Sequence, residues 1–357
     1  MQDPEWEIPA HELTILDNMQ SEKGAFSTVY RGVWRRIDVA IKVFDDACID
    51  VKDDDPENNR DIQNEVHIMT LVHHPSIVLF LGYCRLPGVG KDKKKTSFAL
   101  VFEWMHGGNL LTAMQKKRTY EERMRWSREI CTGVHYLHRR IPTRIIHRDL
   151  KPTNIMVGRH GMCKIGDFGI SKTVMIQKKR SFRNFATTAP PCAFLGVGSG
   201  GTLESSNSLQ DHASGTTDTD SDSSLSTHGP VGTFRYMAPE LMTNHNEIFR
   251  STTKIDLYSL GMILYMIWED REPFTEYDWA QVRGGGGEGG NIRRFCREVF
   301  YHQLRPTFRK TPTRIRAWIR RCWNADPFLR PDTDDLILVF DPSRYRWRER
   351  LVYMFST

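Results

Sequence analysis

Two hydrophobic periodicities in the first hundred residues predict strands, then a helix, then further strands. Apolar and polar residues alternate in "STVYRGVW" and "RIDVAIKVF", which are rich in β-branched and aromatic residues, so strands are predicted within residues 13–44. The spacing changes to three and four residues between Asn59 and Val72, which predicts a helix. Its apolar positions are Ile62, Val66, Met69 and Val72. Another strand is predicted in "FALVFEWM".

The helical spacing predominates after the Gly107–Gly108 pair. Two helices are predicted from Ile255 to Trp268 and from Thr313 to Trp323. An earlier long helix is predicted around Met124, Ile130, Val134 and Leu137. Because strands come first and helices follow, the order predicts an α+β protein with a small β-rich lobe and a larger helical lobe.

Two segments lack a hydrophobic period. Residues 187–229 are dominated by Ser, Thr, Gly and Asp and are predicted to be disordered. Residues 283–291, "RGGGGEGGN", have the composition of a flexible linker. Neither segment is predicted to form a domain.

Composition narrows the class of protein. Of the 357 residues, 39% are hydrophobic and 11% are aromatic, which is enough for a packed core. The formal net charge of +6 is modest for this length, so we expect no nucleic acid partner. Seven cysteines are scattered without metal-binding spacing, which indicates reduced thiols. Because no signal pattern and no membrane-length apolar run are visible, we expect a cytoplasmic protein that does not insert into membranes.

The stretch "IIHRDLKPTNIMV" concentrates chemically active side chains between hydrophobic flanks. Asp149 suits the role of a base that accepts a hydroxyl proton, and Lys151 suits the role of a cation that stabilises the phosphoryl group during transfer. Asn154 and Asp167, the latter in "KIGDFGIS", fit ligands for Mg²⁺. Each residue alone has an alternative role as a turn former or helix cap. The order and spacing of the four together favour phosphoryl transfer.

A glycine-containing turn and a strand lysine precede this stretch. In "SEKGAFSTV", Gly24 alone remains of a phosphate-covering pattern, and for the segment taken by itself an ordinary β-turn is the favoured interpretation. Lys42 in "VAIKVF" either faces an anion-binding cleft or extends its ammonium group to solvent. Glu65 lies near the apolar face of the predicted helix, so it is either a partner for such a lysine or a boundary residue facing solvent.

The order of these segments resembles that of eukaryotic protein kinases, specifically the tyrosine-kinase-like group with its mixed-lineage and Raf-like branch. The matching segments are "GAFSTVYRG", "VAIK", "NEVHIM", "HPSIVLFLGYC", "HRDLKPTN", "DFG", "GTFRYMAPE", "DLYSLGMIL" and "RCWNADPFLRP". As a set they are specific, whereas the glycine segment alone is not. The resemblance covers nearly the whole chain.

The resemblance implies a bilobal kinase domain over residues 13–340. Its N-lobe would span 13–105 and its C-lobe 106–340, with the 187–229 stretch as an insert in the activation segment. Residues 341–357 would form a basic C-terminal tail.

The resemblance also implies that ATP and Mg²⁺ bind between the lobes. Lys42 would bind the α- and β-phosphates and pair with Glu65, while Phe102 would be a bulky gatekeeper of the pocket behind adenine. Further implied ATP contacts are Gly24, Val29, Ala40, Glu103, Met105 and Met156. Other implied contacts are a hydrophobic column of Met69, Phe80, His147 and Phe168, an anchor of the catalytic loop at Asp256, and an ion pair of Glu240 with Arg330.

The position of Lys151, two residues after Asp149, and of Thr233 in "GTF" resembles the pattern of serine/threonine kinases. The expected substrates are therefore protein hydroxyl groups, and dual specificity stays open. A nucleotide-binding pseudokinase scaffold is the alternative from another functional class. Because Lys42, Asp149, Asn154 and Asp167 are all present, an active enzyme is favoured.

Two departures from the family pattern concern ATP binding and regulation. Glu22 and Ser27 stand where the pattern has glycines, so we expect weaker ATP binding without loss of catalysis. The segment between "DFG" and "APE" is unusually long and rich in Ser and Thr. We hypothesise that an upstream kinase phosphorylates it within 216–233, with Thr227 the first candidate, and that Arg148 receives the phosphate. An inert, solvated insert is the alternative.

Overall fold

The computed structural model describes residues 4–23, 27–44, 56–87, 89, 96–140, 142–175, 233–242, 252–277 and 288–341. All of them belong to one compact unit of the chain. The predicted insert at 187–229, with Thr227, lies outside the described residues, and so does the basic tail apart from Asp341. The predictions about these segments therefore stay predictions.

Five antiparallel strands form the sheet of the first lobe. They are β1 (Leu13–Lys23), β2 (Ser27–Trp34), β3 (Ile37–Phe44), β4 (Phe80–Pro87) and β5 (Thr96–Glu103). Their order in the sheet is β1-β2-β3-β5-β4, and the strands predicted within 13–44 are confirmed.

The alternation along β3 decides which of its side chains face the cleft between the lobes. Val39, Ile41 and Val43 are buried on one face of the sheet. Because successive side chains of a strand point to opposite faces, Ala40 and Lys42 share the other face.

One long helix packs against this sheet. Helix α1 spans Pro56–Leu71 and therefore begins three residues before the predicted start at Asn59. Its first residue is a proline, which is common at this position of a helix. Its apolar stripe, which includes Ile62, Val66 and Met69, is buried. Glu65 lies in the same buried stripe, so its carboxylate requires a partner inside the protein.

The second lobe is mainly helical, as predicted. Its helices are α2 (Leu110–Ala113), α3 (Tyr120–Arg139), α4 (Lys254–Glu269), α5 (Glu288–Phe300), α6 (Thr313–Cys322) and α7 (Thr333–Phe340). Helix α4 is buried on all sides from Ile255 to Glu269, which makes it the centre of this lobe. No helix in the described ranges is both long and apolar enough to cross a membrane.

Two small antiparallel ladders hold the segment that carries the candidate catalytic residues. Strand β6 (Thr143–Ile146) pairs with β9 (Lys172–Met175), and β7 (Ile155–Val157) pairs with β8 (Cys163–Ile165). The segment from His147 to Asn154 therefore starts and ends at a paired strand.

The start of α5 corrects the prediction of a flexible linker for residues 288–291, whereas residues 283–287 lie outside the described part of the chain. The helix begins at Glu288 and includes Gly289 and Gly290, although each glycine disfavours a helix by about 1 kcal/mol. Phe295 and Val299 are buried on its inner face. This burial of a large apolar stripe outweighs the low helix propensity of the two glycines.

Candidate active site

Lys42 lies between two carboxylates that the sequence places far from it. Its Nζ atom is 2.8 and 3.0 Å from the carboxylate oxygens of Glu65 and 2.9 Å from Oδ1 of Asp167. The Glu65 side chain is 2% exposed, whereas that of Asp167 is 46% exposed. The group therefore has a buried side on α1 and an open side towards the cleft.

The charges in this group shift the pKa values of its members. Burial by itself would lower the pKa of Lys42, but the negative charges of Glu65 and Asp167 outweigh burial and raise it. The charge of Lys42 lowers the pKa of Asp167 from 3.8 to about 2 despite the opposing effect of burial. Both groups are therefore ionised at neutral pH, and Asp167 offers a full negative charge to a cation.

Asp149 is the centre of a second polar group. Its Oδ2 atom accepts hydrogen bonds from Nζ of Lys151 at 2.7 Å and from Nδ2 of Asn154 at 3.0 Å. The Asn154 amide also donates to the backbone oxygen of Asp149 at 2.8 Å. Asp149 and Lys151 are partly exposed, so the carboxylate is oriented but remains accessible to a substrate.

Backbone hydrogen bonds connect the two groups. The N–H of Gly166, next to Asp167, donates to the backbone oxygen of Asn154 at 2.8 Å, and the ring of His147 contacts the Gly166 oxygen at 3.0 Å. Asp167 has a positive φ of 60°, a strained conformation for a residue with a Cβ. The surrounding contacts hold this backbone in the geometry that directs Asp167 towards Lys42.

A buried aspartate fixes the start of the segment from His147 to Asn154, which the resemblance implies is the catalytic loop. The two carboxylate oxygens of Asp256 accept the backbone N–H groups of His147 and Arg148, each at 2.8 Å. Oδ2 also lies 2.8 Å from the ring of His138. Burial would raise the pKa of Asp256, but the hydrogen bonds from the His138 ring and from the backbone N–H of His147 lower it. Asp256 is thus a charged anchor from α4, where the resemblance places one.

The four residues of the implied hydrophobic column, Met69, Phe80, His147 and Phe168, are all buried. The rings of His147 and Phe168 are 4.9 Å apart, and the ring of Phe80 lies 5.6 Å from that of Phe102. Phe102 therefore contacts the column from the end of β5.

The implied adenine contacts lie on several elements around the cleft. Val29 pairs with Lys42 across β2 and β3, and Ala40 pairs with Phe102 across β3 and β5. Met156 lies on β7, opposite Asn109. The N–H of Glu103 is engaged by Leu79 at 3.0 Å, and Met105 is buried. Gly24 and the side chain of Glu22 lie outside what the structure describes.

A model of the protein kinase domain matches residues 22–192 and 212–338, which is well over half of the chain. The chain belongs to the protein kinase family. Its two lobes, one a five-stranded sheet with a helix and the other mainly helical, form the bilobal α+β kinase fold.

The curated relatives include protein kinases of Arabidopsis thaliana and Dictyostelium discoideum. The chain is 27% identical over 356 residues to the serine/threonine-protein kinase VIK of Arabidopsis thaliana. This alignment covers 96% of this chain and 64% of the relative. It is 30% identical over 318 residues to the dual specificity protein kinase shkA of Dictyostelium discoideum, covering 88% of this chain and 46% of the relative. It is 26% identical over 366 residues to serine/threonine-protein kinase 12 of Arabidopsis thaliana. The chain thus spans less than two thirds of these relatives' lengths.

This kinase has contacts at the hinge between its lobes that the sequence reading did not find. Nζ of Lys164 on β8 lies 2.6 and 2.8 Å from the carboxylate oxygens of Glu103 on β5. Glu103 also accepts the N–H of Leu79 at 2.7 Å. Because β5 and β8 belong to different lobes, the Glu103 side chain connects them. In the sequence, the one signal for this ion pair is the position of Lys164 between the apolar residues Cys163 and Ile165, which is typical of a strand.

A second overlooked contact joins α1 to the segment after "DFG". Nδ2 of Asn64 donates to the backbone oxygen of Ser171 at 2.8 Å. The Ser171 hydroxyl donates to the backbone oxygen of His147 at 3.1 Å. Asn64 thereby connects the helix that carries Glu65 to the catalytic loop.

The implied ion pair of Glu240 with Arg330 is present and buried. Two nitrogens of Arg330 lie 2.6 and 2.8 Å from the two carboxylate oxygens of Glu240. Arg330 also donates to the backbone oxygen of Lys254 at 2.9 Å. The pair therefore joins the "APE" motif to the helical core of the C-lobe.

The donors near the cleft fit Mg²⁺ by their chemistry. Asn154 uses its NH₂ group for Asp149, which leaves its carbonyl oxygen as the available atom. Asp167 uses Oδ1 for Lys42 and has a half-exposed carboxylate. An amide oxygen and a carboxylate are hard ligands, and Mg²⁺ takes one or two such protein ligands together with substrate phosphates.

Proposed function

We propose that this chain is a serine/threonine protein kinase that transfers the γ-phosphoryl group of ATP to hydroxyl groups of proteins. The observation that carries the proposal is a polar network in which Lys42 contacts Asp167, the neighbouring Gly166 N–H donates to Asn154, and Asn154 donates to Asp149. Phosphoryl transfer needs cations on the phosphates, metal ligands and an oriented base within one site, and little else from the protein.

Each residue of the network has a role that follows from its charge and contacts. Lys42, held by Glu65, binds the α- and β-phosphates. Asp149 orients the attacking hydroxyl and accepts its proton, and Lys151 places positive charge beside the transferring group. Because Asn154 and Lys151 both bond to Asp149, they fix the direction of its carboxylate.

Asn154 and Asp167 are the residues that would hold Mg²⁺. When bound, the ion neutralises phosphate charge as it develops during transfer. The adenine would lie against Val29, Ala40 and Met156, with the backbone of Glu103 and Met105 at its edge. Gly24 would cover the phosphates.

Serine and threonine are the proposed acceptors because of Lys151 and Thr233. Relatives with "serine/threonine-protein kinase" in their names support this assignment. The names of VIK and shkA also fit the tyrosine-kinase-like group, to which we assign the chain. The "dual specificity" relatives make tyrosine transfer the second candidate function.

Regulation is proposed to involve phosphorylation within 216–233 by an upstream kinase, with Thr227 first. Arg148 supports this because it stands beside Asp149 on a backbone that Asp256 holds in place. The scattered thiols of the sequence support a reducing compartment, the cytoplasm. Mass spectrometry of the active enzyme tests the regulatory proposal, and full activity with an unmodified segment would remove it.

The decisive experiment compares the parent with Asp149→Asn in a radiolabelled transfer assay on a generic basic protein. We expect kcat to fall by about 10³-fold or more, since the base is lost, while ATP binding is retained. Asp326→Asn, at an exposed aspartate, is the matched control and should keep full activity.

Phosphoamino acid analysis of the same labelled protein separates the candidates. Label on serine and threonine alone supports the proposal, and additional label on tyrosine supports dual specificity. Binding of Mg·ATP without any transfer by the parent would identify a pseudokinase scaffold instead.

A further inference from the structure

A strongly basic stretch of the C-lobe has no part in the proposed phosphoryl transfer. Residues 299–325 contain seven Lys and Arg residues and no Asp or Glu. The charge of this one stretch exceeds the formal net charge of the whole chain, +6. The stretch covers the end of α5, the connection to α6, and α6 itself.

Two of the seven cations have partners inside the lobe. The guanidinium of Arg305 donates to the backbone oxygens of Trp323 and Val299, both at 3.0 Å, and burial lowers its pKa. Lys310 forms an ion pair with Asp270. Because of these contacts we do not assign Arg305 and Lys310 to a ligand-binding surface, although Lys310 is half-exposed.

The other five, Arg309, Arg314, Arg316, Arg320 and Arg321, have no carboxylate within ion-pair distance among the described residues. Arg316 is partly buried and donates to the backbone oxygen of Thr311 at 3.1 Å. The remaining four are exposed. We call Arg309, Arg314, Arg320 and Arg321 the basic surface.

Contacts with aromatic rings orient two of these arginines. The guanidinium carbon of Arg321 lies 4.3 Å from the ring centre of Trp318. That of Arg320 lies 5.5 Å from the ring centre of Phe308, and Arg316 lies 5.4 Å from the same ring. Such cation–π contacts restrict long side chains, so less conformational entropy is lost when they bind a ligand.

The backbone beneath the basic surface is also fixed. The buried carboxylate of Glu269 accepts the N–H groups of Arg309 at 3.0 Å, Lys310 at 3.2 Å and Thr311 at 2.9 Å. Helix α6 buries Ile315, Ile319 and Cys322. The arginines therefore project from a rigid part of the lobe.

Two features of this arrangement are unfavourable for the isolated chain, although the dipole of α6 favours Arg320 and Arg321 in its last turn. Arg314 lies in the first turn of α6, where the positive end of the helix dipole repels a cation and no acidic residue is present. Arg316 and Arg320 are four residues apart, a spacing at which like charges destabilise a helix. A bound anion would relieve both effects.

We propose that the basic surface binds an acidic segment of a partner protein. Arg314 and Arg321 are separated by about 10 Å along the helix axis, a distance that three to four residues of an extended chain span at about 3.3 Å each. Planar guanidinium groups bind carboxylates through paired hydrogen bonds, which suits arginine rather than lysine at these positions.

The surface suits a protein segment better than a membrane or a nucleic acid. Its aromatic rings, Trp318 and Phe308, are partly buried and lie beneath the guanidinium groups of Arg321 and Arg320, so they are poorly placed to insert into a bilayer. The surface has four arginines, three on α6 and one in the segment before it. This number is smaller than the six to ten phosphate contacts of a strongly salt-dependent DNA-binding protein.

The test measures binding of a fluorescein-labelled octaglutamate peptide to the full chain by fluorescence anisotropy. The variant Arg314→Ala/Arg320→Ala/Arg321→Ala removes three charges from the surface. The matched control, Lys116→Ala/Lys117→Ala/Arg128→Ala, removes three exposed charges elsewhere. We expect at least tenfold weaker binding in the first variant, parental binding in the control, and parental activity on a short neutral peptide in both.

Three results would overturn the proposal. The first is that the parent does not bind octaglutamate, and the second is that the two triple variants bind it equally. The third is that the Arg314→Ala/Arg320→Ala/Arg321→Ala variant binds phosphatidylserine vesicles or duplex DNA less tightly than the parent but still binds the peptide as the parent does. If the triple variant does not fold, the single variant Arg321→Ala is compared with Arg128→Ala, and equal peptide binding by those two has the same meaning. Because binding is measured without phosphoryl transfer, this test is independent of the proposed catalytic function.

Discussion

The Nζ atom of Lys42 lies 2.8 Å from Oε1 of Glu65, although the two residues belong to different elements, β3 and α1. Glu65 is buried and Lys42 also contacts Asp167. The ion pair therefore connects the position of α1 to the geometry of the cleft. Its loss should affect catalysis more than it affects folding of either element.

Lys42→Met should lower kcat/KM for phosphate transfer by about 10²- to 10³-fold, because an oriented cation on the phosphates is lost. Glu65→Gln should cause a smaller loss, about tenfold, since Asp167 still holds Lys42. Radiolabelled transfer and calorimetric ATP binding measure both effects. Lys116→Met, at an exposed lysine, is the control; parental activity in Glu65→Gln would show that the ion pair is dispensable.

Asn64→Ala should reduce kcat about three- to tenfold, because it removes a hydrogen bond worth about 1 kcal/mol between α1 and Ser171. The KM for ATP should change less than twofold, since the hydrogen bond that is lost goes to the backbone of Ser171 and not to a proposed nucleotide contact. Steady-state kinetics at varied ATP concentration separates the two parameters. The neighbouring exposed Gln63 supplies the control Gln63→Ala, and equal kinetics in the two variants would contradict a positioning role for Asn64.

Acid stability should depend on Asp167. Its pKa is about 2 in the folded protein, below its ordinary value of 3.8, mainly because of the charge of Lys42. A carboxylate with a lowered folded pKa stabilises the fold above its unfolded pKa, and the stabilisation is lost as pH falls through the folded pKa. The free energy of unfolding should therefore decrease between about pH 4 and pH 2.

Urea unfolding at several pH values in this window measures the effect. Asp167→Asn should flatten the decrease because the titrating group is gone. Lys42→Met should also flatten it because the cause of the shift is gone. An unchanged slope in both variants would show that other carboxylates dominate acid unfolding.

Arg36→Gly should stabilise the protein by about 0.5–1 kcal/mol. Arg35 and Arg36 form the two-residue turn between β2 and β3, with φ values of 46° and 69°. This left-handed conformation is unfavourable for a residue with a Cβ, and turns of this kind prefer glycine at the second position. Arg35 is bonded to Glu12, so Arg36 is the residue to change.

Thermal unfolding followed by circular dichroism checks this prediction. Arg36→Ala removes the same charge but keeps the Cβ, so it should not be stabilised. If both variants shift the melting temperature equally, relief of charge repulsion rather than backbone strain explains the change.

Local pattern allowed much of the fold to be predicted from the sequence. The period-two alternation of β2 and β3 and the apolar spacing of α4 and α6 specify elements whose bounds agree with the structure to within a residue or two. The pattern failed at Glu288, where glycines suggested a linker. The apolar spacing of Phe295 and Val299 was the stronger signal because burial of large side chains outweighs local propensity.

The sequence by itself determined the chemical inventory and its order: Lys42, Asp149, Asn154 and Asp167 stand in motifs whose types and spacing indicate phosphoryl transfer. The resemblance already implied Glu65 as the partner of Lys42, and only the tertiary structure decided the other partners: Lys164 for Glu103 and Ser171 for Asn64. The physical reason is that strand and helix periods arise from backbone geometry within a few residues. Ion pairs between elements depend instead on how the sheet, α1 and the C-lobe pack, and a single sequence does not state that packing.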